Sequence, residues 1–366
     1  MAENEKYLTE QIITYLGNKR KLLADISEEV ERILNELGVD KAKICDIFSG
    51  SGIVARMLKQ YSSRLYVNDL ESYSYVINDC YLTNKEDFNE AFYDKLLQGV
   101  NSAELVEGVV TEHYAPDDDE NILEGERVFY THRNAMLIDT IRKAVDDMPE
   151  SYKKYFLAPL LYEASVHTNT SGVFKGFYKS KESNVGKFGG EGENSLDRIC
   201  GDITLKKPVF SDHSCQVSLF KEDANVFAKH IRGLDITYMD PPYNQHPYGS
   251  NYFMLNTILD NKVGENISSV AGIPSNWNKS LYNKKKNALS TFEELISDID
   301  SKYVIVSYNN EGFISYDEMS AMLSRYGDVT VKDIDYITFR GGKNISKRNL
   351  HTTEYLFTLK KKFDNV

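Results

Sequence analysis

The chain has 366 residues, with 43 Lys+Arg against 55 Asp+Glu, a formal net charge of −12, 41% hydrophobic residues and four cysteines. That composition excludes a disordered chain, a collagen-like repeat and a disulfide scaffold. No stretch approaches the roughly 18 apolar residues of a membrane span. The length exceeds what one small core needs, so two domains, or one domain with a large insertion, are expected. Cys45, Cys80, Cys200 and Cys215 form no Cys-x-x-Cys pair, so zinc and disulfides are not expected. The acidic N-terminus is not a secretory signal, and a reducing cytoplasm fits. Net acidity alone argues against nucleic acid as a partner, but a whole-chain sum hides local patches.

In chain order, residues 20–37 place Leu22, Leu23, Ile26, Val30, Ile33, Leu34 and Leu37 at helical spacing, and Gly38 stops the helix. A short buried strand (41–48), the turn Ser49-Gly50-Ser51-Gly52, a helix (53–61) and a second strand (63–70) follow. Such a unit builds a parallel sheet with right-handed crossovers. Residues 113–127 are acidic and expected to be solvated, and 126–148 read as a helix with Met136, Ile138, Ile141 and Val145 inward. Residues 167–193 hold too many glycines for a core and too many aromatics for a mere linker. Strands resume at 215–220, 234–239, 302–309 and 353–361, with helices at 292–299 and 314–326. The expectation is an α/β fold with a mostly parallel sheet and helices on both faces. Its main domain is discontinuous over 1–80 and 200–366, with a helical and loop insertion at 81–199.

Two stretches carry chemistry. The first is Asp46-Ile47-Phe48-Ser49-Gly50-Ser51-Gly52. Its glycines allow a tight turn and close approach to a ligand, and Asp69 beyond the second strand is placed to hold ribose hydroxyls. The third glycine of a dinucleotide fingerprint is absent, which argues against a dehydrogenase. These residues alone leave a nucleoside-cofactor cradle and a plain glycine-rich connection both open.

The second is Asp240-Pro241-Pro242-Tyr243, after the strand at 234–239. Two prolines cannot sit inside a sheet, so they mark the strand's carboxyl end, where open α/β sheets bind ligands. A carboxylate, proline carbonyls and an aromatic face together suit an exocyclic amino group on a planar base. Its two hydrogens meet oxygen acceptors while its ring stacks on Tyr243.

With these motifs the sequence resembles the S-adenosylmethionine-dependent DNA adenine-N6 methyltransferases of the group that includes DNA adenine methylase. Tyr15-Leu16-Gly17-Asn18-Lys19 is similar to that family's N-terminal cofactor element. Asp46, Phe48, Ser49, Gly50 and Gly52 match its glycine turn, Asp69 and Leu70 its ribose-binding acid, and Asp240 to Tyr243 its catalytic motif. The resemblance implies that Asp223 touches the cofactor adenine and that Ser307-Tyr308-Asn309 is a later structural motif. It covers about residues 12–359. It implies a Rossmann-like methyltransferase fold, S-adenosylmethionine as cofactor, no metal, and a flipped adenine in double-stranded DNA as substrate. It also implies a monomer or weak dimer in a bacterial or phage-derived cytoplasmic setting.

Residues 169–177 and 188–190 resemble target-recognition segments of restriction–modification enzymes, which implies pairing with a restriction endonuclease. The run from Tyr243 to Tyr252 resembles those enzymes as well. The candidate DNA contacts are Asn169, Ser171, Phe174, Lys175, Phe177, Lys187, Tyr248, Asn251, Tyr252, Lys284 and Lys285. Lys179, Lys181, Lys286, Arg340, Lys343, Lys347 and Arg348 add candidate positive charge. Two alternatives stay open: an RNA-base or protein-glutamine methyltransferase on the same fold, and a non-catalytic DNA-binding relative. Families of the former kind usually carry Asn where this chain has Asp240.

Overall fold

Near-continuous burial along the short apolar runs marks the central strands of a sheet covered on both faces. The structure, a computed structural model, describes residues 3–190, 195–337 and 351–362. In β1 (Ala42–Asp46) only Lys43 is exposed, and in β4 (Leu234–Met239) every residue is at least half-buried. In β5 (Ser301–Asn309) only Lys302 is exposed. With β2 (Ser62–Asn68), β3 (Gln216–Phe220), β6 (Gly327–Ile337) and β7 (His351–Lys361) they form one seven-stranded sheet in the order β3-β2-β1-β4-β5-β7-β6. Pairings from β3 through β5 are parallel, while β7 runs antiparallel between β5 and β6. The expected mostly parallel α/β sheet is therefore present.

The helix expected at 20–37 is a 3-10 turn, Arg20–Leu22, running into an α-helix, Leu23–Leu37. Ile26, Val30, Ile33 and Leu34 form its buried stripe, and Gly38 closes it at φ 67°. The helix expected over 126–148 is shorter, His132–Asp146. Thr131 accepts the Asn134 N–H and Asp119 accepts the His132 N–H, so two oxygens cap its start. Met136 is only half-buried, while Ile138, Ile141 and Val145 are inside. The acidic segment is thus not uniformly solvated: Tyr114 is fully buried and Asp119 half-buried.

Two compact units divide the chain. One holds Met1–Asn18, Glu71–Asp212 and Tyr248–Asn278, and the other holds Lys19–Leu70, His213–Pro247 and Lys279–Val366. These segments do not follow the sequence boundaries 1–80, 81–199 and 200–366. The reason lies in the first unit's core. Tyr7 and Ile13, from the N-terminal segment, share one apolar cluster with Tyr73, Ile77, Phe156, Leu160, Phe253 and Ile258. The second unit contains the sheet and a separate cluster built on Cys45, Phe227, Phe292, Val304 and Phe357. Among the described residues no helix is long and apolar enough to cross a membrane.

Candidate active site

In the sheet unit the chemistry-bearing residues collect at the carboxyl ends of the parallel strands. Asp46 ends β1, Asp69 follows β2, Asp223 follows β3, Asp240 follows β4, and Ser307 lies near the end of β5. Asn68, which sequence reasoning passed over, stitches three of these ends together. Its amide donates to the carbonyls of Ile47 (3.2 Å) and Glu222 (3.1 Å), and its oxygen accepts the Glu222 N–H at 3.1 Å. Gly50 and Gly52 sit at φ 49° and 78°, a region that disfavours a Cβ. Ser49 is buried and donates its N–H to the Asn68 carbonyl at 3.1 Å, while Phe48 is half-buried. The Gly50 N–H donates to Asp69 Oδ2 at 2.7 Å. Leu70 is half-buried beside it in sequence.

A buried charge cluster lies at the end of β4. Lys19 Nζ is 3.1 Å from Asp240 Oδ1 and 2.7 Å from Glu354 Oε1. The side chains are 5%, 20% and 0% exposed respectively, so the ion pairs are shielded from water. Ser307 Oγ donates to the same Glu354 oxygen at 2.7 Å. Burial pushes the Asp240 carboxyl up to about 7, with the Glu354 charge adding to that push and Lys19 opposing it. Burial would lower the Lys19 pKa, but Asp240 and Glu354 hold it well above 10.5. Asp46 is 1% exposed and its carboxylate oxygens make no well-formed hydrogen bond. Burial, then the charges of Asp240 and Asp69, drive its pKa well up.

Pro241 is buried, and Pro242 and Tyr243 are half-buried. The Tyr243 carbonyl accepts the Phe313 N–H at 2.9 Å, and the Asn244 carbonyl accepts Asn283 Nδ2 at 2.7 Å. Tyr308 meets the Tyr243 ring edge-on at 6.3 Å. Asp223 is exposed and caps the helix Ala224–Ala228, accepting the N–H groups of Asn225 and Val226. A capping role thus accounts for its position. Tyr282, also missed in the sequence, packs edge-on against Phe48 at 5.3 Å and donates to Asn225 Oδ1 at 2.7 Å.

The unit boundary falls between Asn18 and Lys19, so the N-terminal element is split. Lys19 belongs to the charge cluster. Tyr15, in the helical unit, stacks on Tyr248 at 4.9 Å and on Tyr252 at 4.7 Å, and its hydroxyl pairs with that of Tyr73 at 3.2 Å. Its ring is half-buried in this packing. Gly17 is exposed at φ 73° and Asn18 half-buried.

Four expected DNA contacts are also corrected. Asn169, Phe174, Asn251 and Tyr252 are at most 2% exposed. Asn169 bridges the Val128 and Lys187 carbonyls and the Gly189 N–H, and the Tyr252 hydroxyl accepts the Leu16 N–H at 2.7 Å. Residues with no side-chain surface cannot read a base edge. Phe177 and Tyr248 are half-buried, while Ser171, Lys175, Lys187, Lys284 and Lys285 are exposed. Arg340, Lys343, Lys347 and Arg348 lie outside the described residues. No group of three His, Cys, Asp or Glu among the described residues could hold a metal ion.

A carboxylate, a proline carbonyl and an aromatic ring at the end of a central parallel strand, beside a glycine turn, define the class: an α/β methyltransferase acting on an amino group. Sequence comparison then gives the family. Residues 15–322 match the D12 class N6 adenine-specific DNA methyltransferase, and the chain belongs to that family. It is similar to the type II methyltransferase M.NlaIII of Neisseria lactamica, 30% identical over 361 residues, covering 96% of this chain and 100% of that one. The type II methyltransferase M.CviAII of Paramecium bursaria Chlorella virus 1 is 30% identical, over 94% and 97% of the two chains. The type II methyltransferase M.FokI of Planomicrobium okeanokoites is 27% identical over 95% of this chain and 52% of its own. The protein is an adenine-specific DNA methyltransferase.

Proposed function

We propose that the enzyme transfers a methyl group from S-adenosylmethionine to N6 of an adenine flipped out of a specific double-stranded DNA sequence, as the modification partner of a restriction endonuclease. The observation that carries this is the state of Asp240, a nearly buried carboxylate held by Lys19 at the strand end with its second oxygen uncommitted to that pair.

The donor set fits the cofactor. Asp46, Asp69 and Asp240 crowd negative charge at the strand ends; burial, and after it the charges of Asp240 and Asp69, raise the Asp46 pKa. A cationic ligand relieves that repulsion. Bound there, S-adenosylmethionine supplies a methyl group already activated on a sulfonium. Asp46, Asp69, Lys19, Gly50 and Gly52 would hold it.

A base inside a duplex cannot reach such a pocket, so the adenine is extruded at a cost of a few kcal/mol. Tyr243 stacks on the extruded ring. Asp240 and the Pro241 carbonyl accept the two N6 hydrogens, which draws the nitrogen lone pair out of conjugation and aims it as a nucleophile. The helical unit carries target recognition, with the exposed Ser171, Lys175 and Lys187 reaching DNA; Lys284 and Lys285 add phosphate contacts from the sheet unit. Similarity to type II methyltransferases supports the restriction–modification setting; the same reading takes the enzyme as a monomer or weak dimer in a bacterial or viral cytoplasmic setting.

The test is methyl transfer from labelled S-adenosylmethionine to unmethylated genomic DNA, with the product nucleoside identified and the sites mapped. N6-methyladenine at one short sequence is expected. Label on RNA or protein instead overturns the substrate assignment.

A further inference from the structure

Glu354 stands on β7, 335 residues from Lys19, yet it is the closer of the two carboxylates that the Lys19 ammonium touches. Nothing in the methyl-transfer chemistry calls for a second buried acid there. Two carboxylates sharing one ammonium leave a net negative charge in a shielded place, which is costly to maintain without a return. An apolar residue on this interior strand would be cheaper, since the β7 neighbours Leu356, Phe357 and Leu359 are all buried.

From this geometry we infer that Glu354 is a positioning residue for the methyl transfer: seated by Ser307, it draws Lys19 toward itself and keeps Asp240 from being neutralised in a closed ion pair. The inference rests on the role of Asp240 in the proposed function. With Glu354 present, Lys19 leans 2.7 Å onto Glu354 and 3.1 Å onto Asp240. The Asp240 carboxylate therefore stays under-compensated and remains a strong acceptor for an amino group. Without Glu354, the full charge of Lys19 falls on Asp240 and weakens it as an acceptor. The same charge also contributes to the raised Asp240 pKa.

The groups facing Asp240 are Lys19, Glu354 from β7, Asp46 from β1, and Tyr238 and Tyr243 from its own strand and the turn that follows. Of these, only Glu354 adds negative charge without a direct part in the proposed base or cofactor binding. Removing it lowers the Asp240 pKa while tightening the Lys19–Asp240 pair.

The experiment compares the full chain with Glu354→Gln, Glu354→Asp and Ser307→Ala. The expected result for Glu354→Gln is a kcat about 10- to 100-fold lower, a nearly unchanged KM for S-adenosylmethionine, and an acidic limb of kcat/KM displaced to lower pH. Glu354→Asp keeps the charge and restores the limb, and Ser307→Ala gives a smaller loss. Titration of the Asp240 carboxyl by carbon NMR, assigned with Asp240→Asn, gives the same displacement without turnover. An unmoved Asp240 titration in folded Glu354→Gln overturns the inference, even where activity falls. A wild-type protein that transfers no methyl to DNA overturns the functional reading instead, while the NMR titration still decides the role of Glu354. If Glu354→Gln does not fold, an Asp240 titration in Ser307→Ala identical to wild type overturns the inference.

Discussion

The Gly50 N–H donates to Asp69 Oδ2 at 2.7 Å, tying the glycine turn after β1 to the acid after β2. That carboxylate thereby fixes a turn that only glycine adopts easily at φ 49°. A hydrogen bond to a charged group contributes about 1.5–3 kcal/mol, and each 1.4 kcal/mol is tenfold in affinity. Asp69→Ala is therefore expected to weaken S-adenosylmethionine binding roughly 10- to 100-fold, with a smaller effect on kcat at saturating cofactor. Isothermal titration checks this. An unchanged Kd removes Asp69 from the cofactor site.

Asp240 must be ionised to accept the amino hydrogens, and its carboxyl is pushed up to about 7. The kcat/KM of the free enzyme should therefore fall as pH drops through about 7, which is well above the ordinary carboxylate range near 3.8. The same displacement bears on stability. The folded state binds this proton more tightly than the unfolded chain, so the contribution is complete below the unfolded pKa and is lost as pH rises through about 7. Asp240→Asn removes a buried charge while Lys19 keeps Glu354 as its partner. It should raise Tm at pH 8 and abolish turnover. A pH-rate profile and a melting series at pH 5 and pH 8 check both; a variant that is inactive and less stable at pH 8 contradicts the account.

Much of this site was legible because its chemistry sits in contiguous motifs, Asp46 to Gly52 and Asp240 to Tyr243, each at a strand end marked by glycine or proline. What was not legible came from long-range pairing. Glu354 is an acid on β7 next to a stretch that buries Leu356, Phe357 and Leu359, and its partner is far away in sequence; the signal available was a charge on a strand that is otherwise largely buried. The strand β6, Gly327–Ile337, escaped notice because Lys332, Asp333 and Asp335 break up its apolar residues, as suits an edge strand. The helix Ser72–Tyr81 is built of Ser, Tyr, Val, Ile and Asn, poor helix formers that burial of Tyr73, Ile77 and Tyr81 overrides. Glu150–Val166 carries Pro159 in its interior and still forms one helix. The buried aromatics Phe174 and Tyr252 look like base-stacking residues in one dimension; only packing distinguishes a core ring from a platform.

Asn169 shows the same ambiguity in a polar residue. It is 0% exposed and its side chain makes three hydrogen bonds, to the Val128 carbonyl and the Lys187 carbonyl at 2.8 Å each and from the Gly189 N–H at 2.9 Å. Asn169→Ala leaves these backbone groups buried without partners, at about 1–3 kcal/mol for each group left unsatisfied. The variant should melt well below wild type, and Asn169→Asp should fare no better because a carboxylate repels two carbonyls. Differential scanning calorimetry checks the stability, and site mapping of the surviving activity checks the specificity. A stable Asn169→Ala with altered target sequence returns this residue to base reading.

Lys175 and Lys187 lie at exposed positions of the helical unit and have the opposite expectation. The whole chain carries −12, so DNA is repelled at long range and binding depends on local cations close to phosphate. Each lysine that neutralises one phosphate releases about one counterion, which sets the slope of log K against log salt. Lys175→Ala and Lys187→Ala should each reduce that slope by about 1 and weaken matched and unmatched DNA alike, while kcat at saturating DNA stays near wild type. The double variant should lower the slope by about 2, because the two side chains act on separate phosphates. Fluorescence anisotropy across a salt series checks this. A slope unchanged in the double variant places these lysines away from the DNA, and a loss confined to matched DNA makes them base readers rather than phosphate contacts.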